Sequence, residues 1–166
     1  RGGFMAIKQV IVVRTKYPDG RGGFFGMRMG KMAAQVAHAS MKVFFDVKMT
    51  HLGDFPVKDL LAAHDVRQGV PNDAQQLLVI PLTDAMASWV DGVFTKVVVG
   101  VESEEDLLRC YELARAAGLP TAVIQDIGTT EFRGVPTFTT CAIGPAEASE
   151  IDLITGPAGQ VKVKLL

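Results

Sequence analysis

Lys31, Gln35 and His38 lie at i, i+4 and i+7 within Gly30-Lys31-Met32-Ala33-Ala34-Gln35-Val36-Ala37-His38-Ala39-Ser40. On a helix that spacing gathers a cation, an amide and an imidazole on one side. The residues between them are mostly small, so such a helix can approach a sheet closely, and packing alone gives no reason to keep three polar groups together. A fixed cation can stabilise a developing oxyanion or hold a phosphate, and a neighbouring amide or imidazole can orient it. The second candidate is Asp126, which ends the strand-like run TAVIQD and precedes Gly128, Thr129, Thr130 and Glu131. Open α/β sheets take their ligands at the carboxyl ends of strands, where a carboxylate can orient or deprotonate water. An aspartate there also forms turns, and the threonines that follow (Thr130, Thr137, Thr139 and Thr140) favour strands in any case. Their clustering around an acid is what points to chemistry.

Two sharper chemistries fail on spacing. A phosphate-binding P-loop needs G-x-x-x-x-G-K-[ST], whereas only three residues separate Gly26 from Gly30, and Met32 replaces the hydroxyl after Lys31. His38, His51 and His64 have no zinc-ligand spacing, and no G-x-S-x-G turn occurs, so neither a metal site nor a serine triad is expected.

The elements that must position these residues read as one α/β domain over residues 1–166. Lys8 to Thr15 is apolar on both faces, the pattern of a central strand covered by helices on each side. A glycine-rich loop from Tyr17 to Gly30 follows, then a helix from about Lys31 to Val47. Pro56 opens a helix over Val57 to Arg67, and Leu77 to Leu82 is either strand or buried coil. Asp84 caps a helix containing Trp89. Lys96 to Val101 is a strand, Ser103 with Asp106 opens a helix that Gly118 and Pro120 stop, and Thr121 to Asp126 is the next strand. That strand, helix, strand unit predicts a parallel pair. The short link from Ile127 to Pro136 then requires Thr137 to Ile143 to run antiparallel to a neighbour. A helix near Ala146 to Ile154 and an alternating tail over Val161 to Leu166 complete the reading. The expected architecture is a three-layer α/β/α sandwich around a mixed, mostly parallel sheet of about four strands, with residues 17–29 and 48–83 as inserted loops. Residues 1–4, ahead of Met5, read as an expression remnant.

Composition agrees with a soluble, cytoplasmic globular protein: 48% of residues are hydrophobic and 21% charged, and the apolar runs are too short to span a bilayer. Cys110 and Cys141 fall in a helix and a strand and read as reduced core residues. The net charge of −1 argues against a general nucleic-acid binder, but it is unevenly spread. Residues 1–48 hold nine Lys/Arg against two Asp, and the remainder reverses the sign. A basic patch for phosphates is therefore available. Within it, Arg21 and Arg28 flank Phe24 and Phe25. Cations pair with phosphates and aromatic rings stack on unpaired bases, so this loop can grip the single-stranded end of an RNA, unless both Phe pack inward.

The segments KQVIVVRT, GKMAAQVAHAS, KVVVGV, GLPTAVIQDIGTTE, AIGP and IDLITG, in that order, resemble a type 2 peptidyl-tRNA hydrolase. The most specific part is G-K-x-A-A-Q-x-x-H-A joined to a downstream D-x-G-x-T. The resemblance implies a metal-independent, cofactor-free esterase that cleaves peptide from tRNA, works as a homodimer, and needs no membrane. It assigns Lys31, Asp126, Thr130 and Thr139 to catalysis, with Thr137 an alternative for the second threonine, and Gln35 and His38 to substrate binding; Arg21 and Arg28 join the substrate-binding set from the loop's own chemistry. The chain differs from the family pattern D-A-G-R-T in carrying Asp126-Ile127-Gly128-Thr129-Thr130, which lacks the arginine. The rival is a non-catalytic module of the same fold that binds an RNA end or a protein. A catalytic centre requires Lys31, Asp126 and Thr130 to converge; a binding module requires only the basic face.

Overall fold

β-Branched side chains fill the segment Ile7–Arg14, strand β1, which is buried from Gln9 onward at the middle of the sheet. The structure, a computed structural model, describes residues 6–46 and 80–166. After β1 come a two-residue hairpin, β2 (Tyr17–Pro18) and β3 (Phe24–Phe25), and helix α1 (Met29–Phe45). Helix α2 (Asp84–Asp91), strand β4 (Lys96–Val101) and helix α3 (Glu104–Ala116) follow. Strands β5 (Thr121–Asp126) and β6 (Thr137–Glu147), helix α4 (Ala148–Thr155) and strand β7 (Lys164–Leu165) complete the order. The expected helix over Val57 to Arg67, His51, His64, Leu77 to Val79, Val47 and residues 1–4 lie outside the described residues, as does most of the expected insert at 48–83.

The α/β class holds, but the sheet is not mostly parallel. Its order is β5-β6-β1-β4-β7, and among the described residues only β1 with β4 is a parallel pair. β6 runs antiparallel to both β1 and β5, and β7 runs antiparallel to β4. The segment from β4 through α3 to β5 does return in the same direction, but β6 and β1 stand between its two strands. A crossover helix fixes relative direction, whereas the number of strands it passes depends on what inserts later. Here the short connection after β5 sends β6 back beside it and into the gap. Among the described residues the sheet has five strands rather than about four, and the predicted tail strand is confined to β7.

Side chains alternate across the sheet into two cores. Val10, Val12, Val99, Cys141 and Ile143 pack with Leu107 and Cys110 of α3 and Ile151 of α4. Ile11, Val13, Ala122 and Ala142 pack on the other face with Ala39 and Val43 of α1 and Met86 of α2. The three layers are therefore present. Both cysteines are buried free thiols, and burial pushes the Cys110 thiol up to about 12. Thr83, rather than Asp84, caps α2: its hydroxyl accepts from the Met86 N–H. Ser103 caps α3 as its spacing predicts, with Asp106 N–H bonded to Ser103 Oγ at 3.0 Å.

A buried polar clamp fixes α1 on the sheet. Gln9 is fully buried within an otherwise apolar strand; its Nε2 donates to the Ser40 and Gly144 carbonyls at 3.2 Å, and its Oε1 accepts from Ser40 Oγ at 2.6 Å. A buried amide left without those partners would cost about 1 to 3 kcal/mol. The contact holds α1, and with it the helix's amino-terminal turns, in one register against β1. No helix among the described residues is long and apolar enough to cross a membrane.

Candidate active site

Lys31 sits in the first turns of α1 and Asp126 at the last position of β5, so the amino end of the helix faces the carboxyl end of the strand. The Lys31 ammonium donates to Asp126 Oδ2 in a short ion pair. Gln35, one turn further along α1, donates from Nε2 to the same oxygen at 3.0 Å. The Gly128 N–H donates to Asp126 Oδ1 at 2.8 Å. Burial would raise the Asp126 pKa, but the Lys31 hydrogen bond, the Gly128 N–H, the Lys31 charge and the Gln35 amide outweigh it and hold the carboxyl below the usual carboxylate range. The pair remains within reach of solvent, with side-chain exposures of 17% for Lys31 and 10% for Asp126.

Gly128 is required by this arrangement. Its φ is +88°, and a Cβ there would lie 2.4 Å from the Val135 carbonyl oxygen. A glycine therefore lets the loop turn sharply enough to aim its N–H back at Asp126.

A bulge in β6 supplies the next layer. Ile124 pairs with Thr140 but Gln125 pairs with Phe138, which leaves Thr139 as the extra residue. The break in alternation turns two consecutive hydroxyls toward α1. Thr139 Oγ1 donates to Gln35 Oε1 at 2.5 Å, and Thr140 Oγ1 donates to the Gln35 carbonyl at 3.2 Å. Thr139 is fully buried and is linked to Asp126 through Gln35. Thr137, the alternative, is bonded instead to the Val135 carbonyl.

Other residues singled out in the sequence are differently disposed. Thr130 lies four positions beyond Asp126 on the connecting loop with its side chain exposed. His38 is exposed as well and takes no part in the hydrogen bonds around Asp126. Arg21 is exposed on the hairpin turn, where its backbone N–H donates to Asp19. Arg28 precedes α1 and pairs with Glu131 at 2.6 Å, its own side chain 79% exposed and that of Glu131 only 8%. The two phenylalanines divide: Phe24 is 67% exposed, whereas Phe25 packs on Tyr17 and Phe132. Glu131, Gln9 and Gly128 are the positions the sequence reading left without a role. A lone acid facing a lone arginine about a hundred residues away leaves no local signal. Among the described residues no group of three or more His, Cys, Asp or Glu side chains is arranged to hold a metal ion.

Residues 7–158 match the family model described as peptidyl-tRNA hydrolase PTH2. The chain is 36% identical over 153 residues to a protein of Halobacterium salinarum named peptidyl-tRNA hydrolase, covering 90% of this chain and 96% of that one. Proteins of the same name from Metallosphaera sedula and Methanopyrus kandleri are 36% and 33% identical over 151 and 150 residues, covering 90% of this chain and 96% and 93% of theirs.

Proposed function

The chain belongs to the peptidyl-tRNA hydrolase family PTH2 and cleaves the ester between peptide and tRNA, and we propose that Lys31 and Asp126 perform that cleavage as one unit. The observation that carries this reading is the carboxylate of Asp126 held by Lys31, Gln35 and Gly128 at the edge of solvent. Ester hydrolysis needs an oriented water, stabilisation of the carbonyl oxygen as it becomes negative, and a proton for the departing ribose oxygen. Asp126 Oδ1 has one hydrogen bond, from Gly128, and keeps a lone pair for a water. Lys31 uses one N–H on Asp126 and has two more for the ester.

In this mechanism the water oxygen bonds to the carbonyl carbon while Lys31 faces the oxyanion. An aspartate with a depressed pKa is a weak base toward free water, but the attacking water becomes strongly acidic as its new bond forms, and Asp126 then accepts the proton. Collapse of the tetrahedral intermediate breaks the bond to ribose, whose oxygen takes a proton from Lys31. The proton on Asp126 returns to Lys31 across their hydrogen bond and the site is restored. Gln35 and Thr139 act as positioning residues: Thr139 fixes the amide so that Gln35 Nε2 faces Asp126. Thr130, exposed on the loop after Asp126, meets the ester or the tRNA end, and His38, exposed further along α1, meets the tRNA.

The test is hydrolysis of peptidyl-tRNA by the full chain with EDTA present. The rate is expected to be unchanged by the chelator, since the ammonium supplies the charge stabilisation; loss with EDTA and restoration by zinc or magnesium would overturn the metal-independent mechanism.

Arg21, Arg28 and the exposed Phe24 support a grip on the unpaired end of the tRNA. Arg28 is partly neutralised by Glu131, so Arg21 is the freer charge. Replacing both arginines with alanine should weaken tRNA binding and flatten its salt dependence, with little effect on a minimal ester substrate. Unchanged affinity and slope in a titration across salt concentrations would remove this loop from the tRNA contact. The reading extends to a homodimer acting in the cytoplasm on a single domain over residues 1–166. Exposed Met41 and Phe45 on α1, which a second copy would cover, support the dimer.

A further inference from the structure

A cavity of about 450 Å³ opens between the β2–β3 hairpin and the loop joining β5 to β6, beside the site but distinct from the Lys31–Asp126 pair. Its open apolar lining is Pro18, Phe25, Val135 and Pro136, backed by Tyr17 and Phe132, and the three rings pack on one another with ring centroids 4.8 to 6.1 Å apart. Tyr17 is 2% exposed and Phe132 6%, so their faces are closed to a stacking base. The charged lining holds three carboxylates, Asp19, Glu104 and Glu131, against two arginines, Arg14 and Arg133. Arg14 is already taken by Glu104 at 2.5 Å and lies over the Tyr17 ring.

Continuity with the reacting centre is visible at three points. Glu131 lines the cavity and at the same time holds Arg28, three residues before Lys31. Thr137 lines it and is the register partner of Asp126. The charges of Glu131 and Asp126 both act on Tyr17, whose pKa is raised above all by burial, with the Arg14 charge opposing the rise and those carboxylates adding to it.

Resting on the ester reading above, we infer that this cavity receives the carboxyl-terminal residue of the peptidyl group, the acyl side of the ester. The substrate has a polyanionic end and a near-neutral peptide end. With three carboxylates against two arginines the lining carries a net charge of −1, so it does not draw in the phosphodiester, and its open apolar surface at Pro18, Phe25, Val135 and Pro136 suits an amino-acid side chain. The phosphates are left to the arginines outside the cavity.

The experiment uses one tRNA body esterified with either N-acetylglycine or N-acetylphenylalanine, and the variants Val135→Trp and Pro18→Trp. Val135 and Pro18 line the cavity from opposite sides, are both exposed, and stand outside the catalytic pair. Each variant is expected to lower kcat/KM on the phenylalanyl ester at least about ten-fold, the scale of steric discrimination in a side-chain pocket, and to leave the glycyl ester within about two-fold. Affinity for deacylated tRNA should not change. Equal losses on both esters, no loss on either, or weakened binding of deacylated tRNA would overturn the assignment. Failure of the unaltered chain to cleave either ester would overturn the ester reading itself, a result separable from the first three.

Discussion

Lys31→Ala is expected to lower kcat/KM on peptidyl-tRNA by at least about 100-fold while leaving the fold intact. The loss follows from removing the ammonium that donates to Asp126 and faces the approach to it, and a donor aimed at developing charge commonly carries an effect of that size. The fold should survive because the Lys31–Asp126 pair is partly solvated, and Asp126 keeps its bonds from Gln35 and Gly128 when Lys31 is gone. The Gln9–Ser40 clamp, which lies further along α1, is untouched. Steady-state kinetics beside a thermal melt check both halves: near-normal turnover would remove Lys31 from the mechanism.

Asp126→Asn is expected to cost at least as much. An asparagine places its NH₂ either toward Lys31 and Gln35 or toward the Gly128 N–H, so every orientation sets a donor against a donor. It also removes the anion that fixes Lys31 and accepts the water proton. The pH dependence has a defined sign. Because the folded pKa of Asp126 is depressed, the carboxylate is ionised throughout the neutral range, and both its share of stability and its catalytic form are lost only as pH falls through that folded value. The acid limb of kcat/KM in the unaltered chain should therefore lie below the usual carboxylate range, and Asp126→Asn should lack it. Full activity in the variant would contradict the assignment.

The Lys31–Gln35 relation was readable because i and i+4 on a helix is a strictly local geometry, and both side chains do reach one oxygen of Asp126. His38 obeys the same arithmetic and ends elsewhere. Seven residues carry it roughly 10 Å along the axis from Lys31, and the buried face of α1, defined by Gln35, Ala39 and Val43, is rotated away from it. Helical spacing gives a direction but not the extent of the partner, and Asp126 meets only the first turns. The strands were legible from their β-branched runs, whereas their order was not, since the place of β6 between β5 and β1 is a matter of long-range pairing. The choice between Thr137 and Thr139 lay beyond the sequence for a related reason. A bulge becomes visible only against its partner strand, and it is the bulge at Thr139 that brings that hydroxyl to Gln35. Gln9 was hidden by its surroundings, a single amide in an apolar run whose partners lie 31 and 135 residues away.

The most direct test of the account is a double-mutant cycle on peptidyl-tRNA, with kcat/KM measured for the unaltered chain, Lys31→Ala, Asp126→Asn and the two combined. Groups that act as one unit lose their function together, so the account predicts that the double variant falls within about three-fold of the slower single variant. Losses that multiply, with the double variant slower by the product of the two single effects, would contradict the claim that Lys31 and Asp126 share one catalytic task.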